Sequence, residues 1–168
     1  MTVNLNLGSY RYPLPGWHNV DIEQWPGVDE IVDLNRLPWP WEDGMFYQVR
    51  AVDIVEHLGK LTKVEIIREL ARVTKTGGKV IVRVPCGSHA WACASIQHAH
   101  LFQYNSFEES YAQPWFKCTR VRVGLSDYGK RSFKINRFWR TMCKYFHVVQ
   151  VLEFELERNE VNITGPGR

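Results

Sequence analysis

The sequence lacks an apolar run of the about 18 residues that a membrane span needs. No basic-then-apolar leader precedes its first strand-like segment. Both absences disfavour membrane insertion and export, so a cytoplasmic location is expected. Cysteine is sparse: Cys86, Cys93, Cys118 and Cys143 are the 4 in 168 residues. Without an export signal they are expected as free thiols rather than bridges. Internal repeats and low-complexity tracts are also missing. What remains is an ordinary globular composition, 45% apolar and 23% charged, of a length that suits one domain over residues 1–168. The net charge of +3 conceals an uneven distribution. Residues 1–60 hold 4 Lys/Arg against 9 Asp/Glu, whereas residues 117–146 hold 9 against 1.

Short alternating runs rich in Val and Ile predict strands at residues 3–8, 18–23, 30–34, 48–55 and 78–85, with two more at 116–124 and 146–157. Residues 61–74 predict a helix. Val64, Ile67, Leu70, Ala71 and Val73 mark its apolar face, and Lys63, Glu65, Arg68, Glu69 and Arg72 its solvated one. Gly77 and Gly78 read as its stop. Ser106 followed by Glu109 is a capping-box pattern that suggests a helix over 106–112, residues 133–145 suggest a third, and the Pro/Trp-rich stretch 38–44 reads as a loop. The strand, helix and strand of 48–85 form a βαβ unit. The flanking runs extend it to an α/β fold, an open, mostly parallel, seven-stranded, doubly wound Rossmann-like sheet. Parallel neighbours need a crossover of about a dozen residues, yet only 9–17 and 24–29 join the first three runs. The N-terminal crossovers are therefore expected to be abbreviated, with flanking helices reduced to turns.

In such a sheet, ligands bind at the carboxyl ends of the strands beside the point where strand order reverses. That singles out Gly8-Ser9-Tyr10, Asp21, Asp33-Leu34 and Asp53-Ile54-Val55-Glu56. Glycine after the first strand lets a ligand approach the backbone closely. An aspartate ending the second strand is placed to accept from both hydroxyls of a ribose, and one ending the third from an adenine amino group. The set suggests a nucleoside-containing cofactor, weighed against the plainer reading that Asp is a common turn residue.

The segments LNLGSYRYPLPGWHNVD, GVDEIVDLNRLPWPWEDGMFYQVRAVDIVEHL and IIRELARVTKTGGKVIVRVP resemble, in order and spacing, successive motifs of the small class I S-adenosylmethionine-dependent methyltransferases of the type 11 group. The resemblance covers about residues 3–110. Val55-Glu56-His57-Leu58 before the helix, and Arg72-Val73, Lys75 and Gly77-Gly78 around its end, are its most distinctive parts. A later family segment, D-P-x-H-x-R-x-F-x-x-x-S-F, is matched only at His98, Phe102, Ser106 and Phe107. The resemblance implies S-adenosylmethionine as cofactor. Gly8 and Ser9 would line its methionine part, with Tyr10 beside them either covering the cofactor or obstructing it, Asp21 would bind ribose, Asp33 and Leu34 would frame adenine, and Asp53, Ile54 and Val55 would lie under the sulfonium. Tyr10 stands where the family usually has a second glycine, and Tyr47 where it usually has an aspartate.

Methyl transfer from a sulfonium is an in-line displacement that needs positioning rather than a protein nucleophile. A hydroxyl or protonated-amine acceptor also needs a base. His98 and His100 are the candidate catalytic residues, His98 first, with His89 nearer the strand end; the plainer reading is that they are ordinary loop histidines. Cys86, His89, Cys93 and His98 lack the spacing of a zinc knuckle, so no metal site is assigned. Pro85-Cys86 is similar to the nucleophile dipeptide of cytosine-5 methyltransferases but follows the fifth strand, not the fourth. No Asn/Asp-Pro-Pro-aromatic turn follows the fourth strand, which weakens amino-methylation of DNA.

The basic residues Lys117, Arg120, Arg122, Lys130, Arg131, Lys134, Arg137, Arg140 and Lys144 alternate with Phe133, Phe138, Trp139 and Tyr145. The plainer reading, and the favoured one, is an amphipathic helix with its aromatics in the core and a solvated cationic face, while the sign imbalance also suits an anionic acceptor or nucleic acid. The expected function is methyl transfer from S-adenosylmethionine to an O or N acceptor. Residues 3–85 form the cofactor half. Residues 86–168 form an acceptor half too short to enclose a pocket, which leaves a large external acceptor or a homo-oligomer to complete it. The alternative is a non-catalytic module that binds S-adenosylmethionine or nucleic acid through the basic C-terminal face.

Overall fold

The computed structural model describes residues 3–107, 114–125, 133–134 and 149–160. The strands are β1 (Val3–Leu7), β2 (His18–Asp21), β3 (Glu30–Ile31), β4 (Phe46–Val52), β5 (Thr74–Pro85), β6 (Phe116–Leu125), β7 (Phe133–Lys134) and β8 (Val149–Arg158). They make one sheet in the order β3-β2-β1-β4-β5-β8-β6-β7. Seven are the predicted runs. β7 falls where the 133–145 helix was expected, because Phe133 and Lys134 pair with Val123 and Arg122 on the otherwise open edge of β6. The rest of that expected helix, residues 108–112 of the 106–112 helix, and Cys143 lie outside the described residues. Cys86, Cys93 and Cys118 are free thiols. Among the described residues, no helix is long and apolar enough to cross a membrane.

β1 to β5 pair in parallel. β8 enters antiparallel between β5 and β6, so β6 runs in the direction of β5. From β1 the chain steps outward to β2 and β3, then returns to the other side of β1 as β4. Strand order therefore reverses between β1 and β4.

The abbreviated crossovers are present: residues 8–17 and 22–29 carry no helix. A buried side chain organises the first of them. Asn19 Oδ1 accepts from Leu14 N at 2.7 Å and from Asn6 Nδ2 at 2.9 Å, while its Nδ2 donates to the carbonyls of Leu14 and Trp17 at 3.1 and 3.0 Å. One amide thus satisfies backbone groups that a helix would have paired internally.

The α1 helix (Lys63–Val73) starts with a capping box that the sequence displays as Thr62-x-x-Glu65. Thr62 Oγ1 accepts from Glu65 N at 3.2 Å, and Glu65 Oε2 accepts from Thr62 N at 2.7 Å. Its buried face holds Ile66, Ile67, Leu70, Ala71 and Val73. Glu69, expected in solvent, is also buried. It accepts from Trp39 N at 3.0 Å and from Arg72 Nε at 2.8 Å, and Arg72 in turn donates to the carbonyls of Trp39 and Trp41. The Trp39–Trp41 loop is thereby strapped across the helix. Gly77 is not the helix stop, since Thr74 is already extended. Gly77 (φ 72°) lies instead within β5, where pairing slips from Phe46↔Thr74 to Gln48↔Lys79.

The two sheet faces differ. Leu5, Leu7, Val49, Ala51, Val80, Val82, Val84, Leu152, Phe154 and Leu156 are buried in one core with α1. Alternate positions turn the other way and include a polar row: Asn6 pairs with Arg50, and Arg83 with Glu153, which pairs with Arg122.

Candidate active site

The reversal point is shaped by the turn after β1. Gly8 adopts φ 61°, and a Cβ there would come within 2.8 Å of Ile54 Cγ1. Only glycine lets this turn lie against the chain leaving β4. Ser9 N donates to Val20 O at 2.9 Å. Tyr10 also has positive φ, 45°, which is uncommon for a bulky residue. It is held by two contacts: its N–H donates to Asp21 Oδ2 at 2.9 Å, and its ring packs edge-on against Trp25 with centroids 4.7 Å apart.

A cleft of about 530 Å³ opens beside this turn, lined by Gly8, Ser9, Tyr10, Tyr12, Arg50, Val52, Asp53 and Arg83. Asp53, with φ 52°, is ion-paired to Arg83. That pairing raises the Arg83 pKa. Arg50 differs. Burial, then the neighbouring Arg83 charge, lowers its pKa; its one hydrogen bond among the described residues is a 3.3 Å contact from Nη1 to Asn6 Oδ1. Among the lining residues two guanidinium groups stand with one carboxylate, Asp53, and Glu153 acts on both arginines from outside the lining. The Ser9 hydroxyl is buried with no hydrogen-bond partner among the described residues.

Of the residues singled out in the sequence, Gly8, Ser9, Tyr10 and Asp53 come together in this cleft. Asp21, Asp33, Leu34, Ile54 and Val55 do not line it. Asp21 caps its own turn, accepting from Tyr10 N and Glu23 N. Asp33 accepts from Asn35 N and pairs with Arg36 at 3.1 Å. Leu34 and Val55 belong to the core, and Ile54 packs on it. His98 Nδ1 lies 2.9 Å from Ala92 O and His100 Nε2 3.1 Å from Leu58 O; neither ring lines the cleft.

Arg50, Arg83 and Tyr12 escaped sequence reasoning. The signal for the arginines was their alternation with Val49, Ala51, Val82 and Val84, which marks a strand face that is not apolar. Two arginines of the described part of the basic segment are ion-paired. Arg122 pairs with Glu153 and Glu155, both at 2.9 Å, and Arg120 with Glu155 at 3.3 Å. Residues 126–132 and 135–146 of that segment lie outside the described residues.

No family model and no curated protein matches the sequence. Solved structures do match. An S-adenosylmethionine-dependent methyltransferase from Mesorhizobium loti has TM-score 0.63 at 12% identity over 93% of this chain and 90% of its own. Geranyl diphosphate C-methyltransferase from Streptomyces coelicolor A3(2), solved with Mg2+, geranyl diphosphate and S-adenosyl-L-homocysteine, has TM-score 0.62 at 11% identity over 94% and 73%. The [4+2]-cyclase SpnF has TM-score 0.59 at 16% identity over 96% and 76%. The inclusion of a cyclase shows that such a fold does not by itself dictate the reaction. Strand order, the reversal at β1 and these likenesses agree on the architecture: the chain has the class I S-adenosylmethionine-dependent methyltransferase fold.

Proposed function

We propose that the chain is a methyltransferase that binds S-adenosylmethionine along the carboxyl edge of β1, β2 and β4, with the methionine end in the cleft. One observation carries this reading: the turn that only Gly8 permits stands beside Arg50, a half-buried guanidinium that forms no ion pair among the described residues. Arg50 is matched to the carboxylate of an amino-acid moiety, as a planar fork that can bind it through two bonds. The unpartnered Ser9 hydroxyl offers a further polar contact. The cleft volume falls within the about 300–1,000 Å³ of small-molecule sites. Asp21 and Asp33 stand at the next two strand ends for ribose and adenine. Their bonds to backbone N–H groups leave acceptor capacity, since a carboxylate offers about four lone-pair sites.

The bound cofactor supplies an electrophilic methyl group on a sulfonium. The protein's part is to hold that methyl in line with a hydroxyl or amine of the acceptor and to keep water from the approach. Should the acceptor release its proton to the protein, His98 and His100 are the proposed recipients. His98 would use Nε2, because its Nδ1 faces the Ala92 carbonyl. The acceptor is proposed to come from outside the domain, with a second copy of the chain as the source of any further pocket wall.

Calorimetry with S-adenosylmethionine and S-adenosylhomocysteine tests the reading. One equivalent of each should bind, and Arg50→Ala should weaken both by about tenfold or more. No heat with either compound overturns it. Affinity for RNA or DNA that falls steeply with salt, without cofactor binding, would favour the nucleic-acid module instead.

A further inference from the structure

Glu56 follows β4 and ends up in an unusual position for a carboxylate. It is 1% exposed, and neither Oε1 nor Oε2 has a hydrogen-bond partner among the described residues. A buried anion in that state costs several kcal/mol, on the order of the penalty per ion in protein interiors, unless it is protonated or meets a cation. Arg83, already paired with Asp53, is near enough to act on it electrostatically, and the groups clustered with the carboxylate are neutral donor atoms. One ligand atom each from Glu56, His57 and His98 lies within 4.8 Å of the other two. The two imidazoles approach edge-on, with centroids 4.9 Å apart.

The backbone holds these side chains together. Ala99 N and His100 N both donate to Glu56 O, at 2.8 and 3.1 Å. This joins the loop after β5 to the turn after β4. A Cβ on Gly59 would sit 2.9 Å from Ala99 Cβ, so the two segments are in close contact. Both rings also show the outer-shell arrangement of metal-binding histidines. Nδ1 of His57 lies 3.1 Å from Gln97 O, and Nδ1 of His98 lies 2.9 Å from Ala92 O. A ring N–H donated to a carbonyl fixes the tautomer and leaves the lone pair on Nε2.

We propose that Glu56, His57 and His98 bind a divalent first-row transition-metal ion, of the zinc, manganese or cobalt class, at a site outside the cofactor cleft. Two imidazoles and one carboxylate suit these ions better than magnesium or calcium, which prefer all-oxygen sets. With bonds of about 2.0–2.2 Å, the three donors need to close by about an ångström or so. Glu56 is buried, whereas both histidines are half-exposed. The remaining coordination positions therefore face the solvent side, open to water or to an oxygen of a bound molecule, as in metal sites that keep a vacant position. An ion on Nε2 of His98 would replace the base role of that nitrogen, because a coordinated lone pair takes no proton.

The test uses chelator-treated protein without S-adenosylmethionine, so that its outcome is independent of the cofactor reading. Titration with Zn2+, Mn2+ and Mg2+ should show one equivalent of zinc or manganese bound and much weaker binding of magnesium. Cobalt should give visible d–d bands without a thiolate charge-transfer band. Glu56→Gln and His98→Gln should each weaken binding by about 100-fold or more, whereas Cys93→Ser should not change it. Should Glu56→Gln fail to fold by circular dichroism, His57→Gln, at a half-exposed ring, carries the same expectation. No binding of any of these ions at about 1 mM, unchanged affinity in the folded ligand variants, or a thiolate band that disappears in Cys93→Ser would overturn the proposal.

Discussion

At Gly8, left-handed backbone and contact with the Ile54 side chain coincide in one residue. Gly8→Ala should therefore destabilise the fold by about 1–3 kcal/mol, read as a lower urea midpoint, and abolish the cofactor's calorimetric signal by moving the turn. Glu56 bears on pH. Burial, its largest cause, raises its pKa from 4.5 to about 7. Between those values the native state keeps a proton that the unfolded chain has released. The metal-free protein should be most stable with respect to this group below its unfolded pKa, and lose up to about 3 kcal/mol as pH rises through 7. Urea titrations across that interval check this, and Glu56→Gln should flatten the profile. The sequence singled out Glu56 for its place at a strand end, but its burial was not legible. The enclosure comes from the 97–100 loop, which follows β5 at the same carboxyl edge but more than 40 residues later in the chain.

At the level of elements, the first crossover depends on Asn19 where a longer chain would have used a helix. Asn19→Ala removes bonds to Leu14, Trp17 and Asn6 at once. It should cost about 2–4 kcal/mol, as expected when buried backbone groups lose their partner, and amide exchange should rise first in residues 12–19. The strand runs and α1 were readable because their apolar alternation records which side faces the core. The shortness of the crossovers was readable from residue counts alone. The hub was not, since an Asn between His18 and Val20 looks like any polar position in an alternating strand. Glu69 misled for a related reason: its helical position points to solvent, and only the Trp39–Trp41 loop arriving over it makes it buried.

For the molecule as a whole, charge has to be read across strands. Of the lysines and arginines in residues 117–146, Lys117, Arg120 and Arg122 face acids that lie just beyond that window, opposite Glu157, Glu155 and Glu153. Exchanging Lys117, Arg120 and Arg122 for Gln should leave any affinity for RNA or DNA, and its salt dependence, unchanged by fluorescence anisotropy. The stability change should stay below about 1 kcal/mol per pair. The order of the sheet also bears on biosynthesis. In the ladder of hydrogen bonds β6 joins the first five strands through β8, whose last residue, Arg158, donates to Ala71 O at 2.9 Å. During translation β6 leaves the ribosome well before the strand that docks it. A released chain truncated before residue 149 should therefore expose residues 116–125 to protease, and that segment should become resistant only in chains that extend through residue 158.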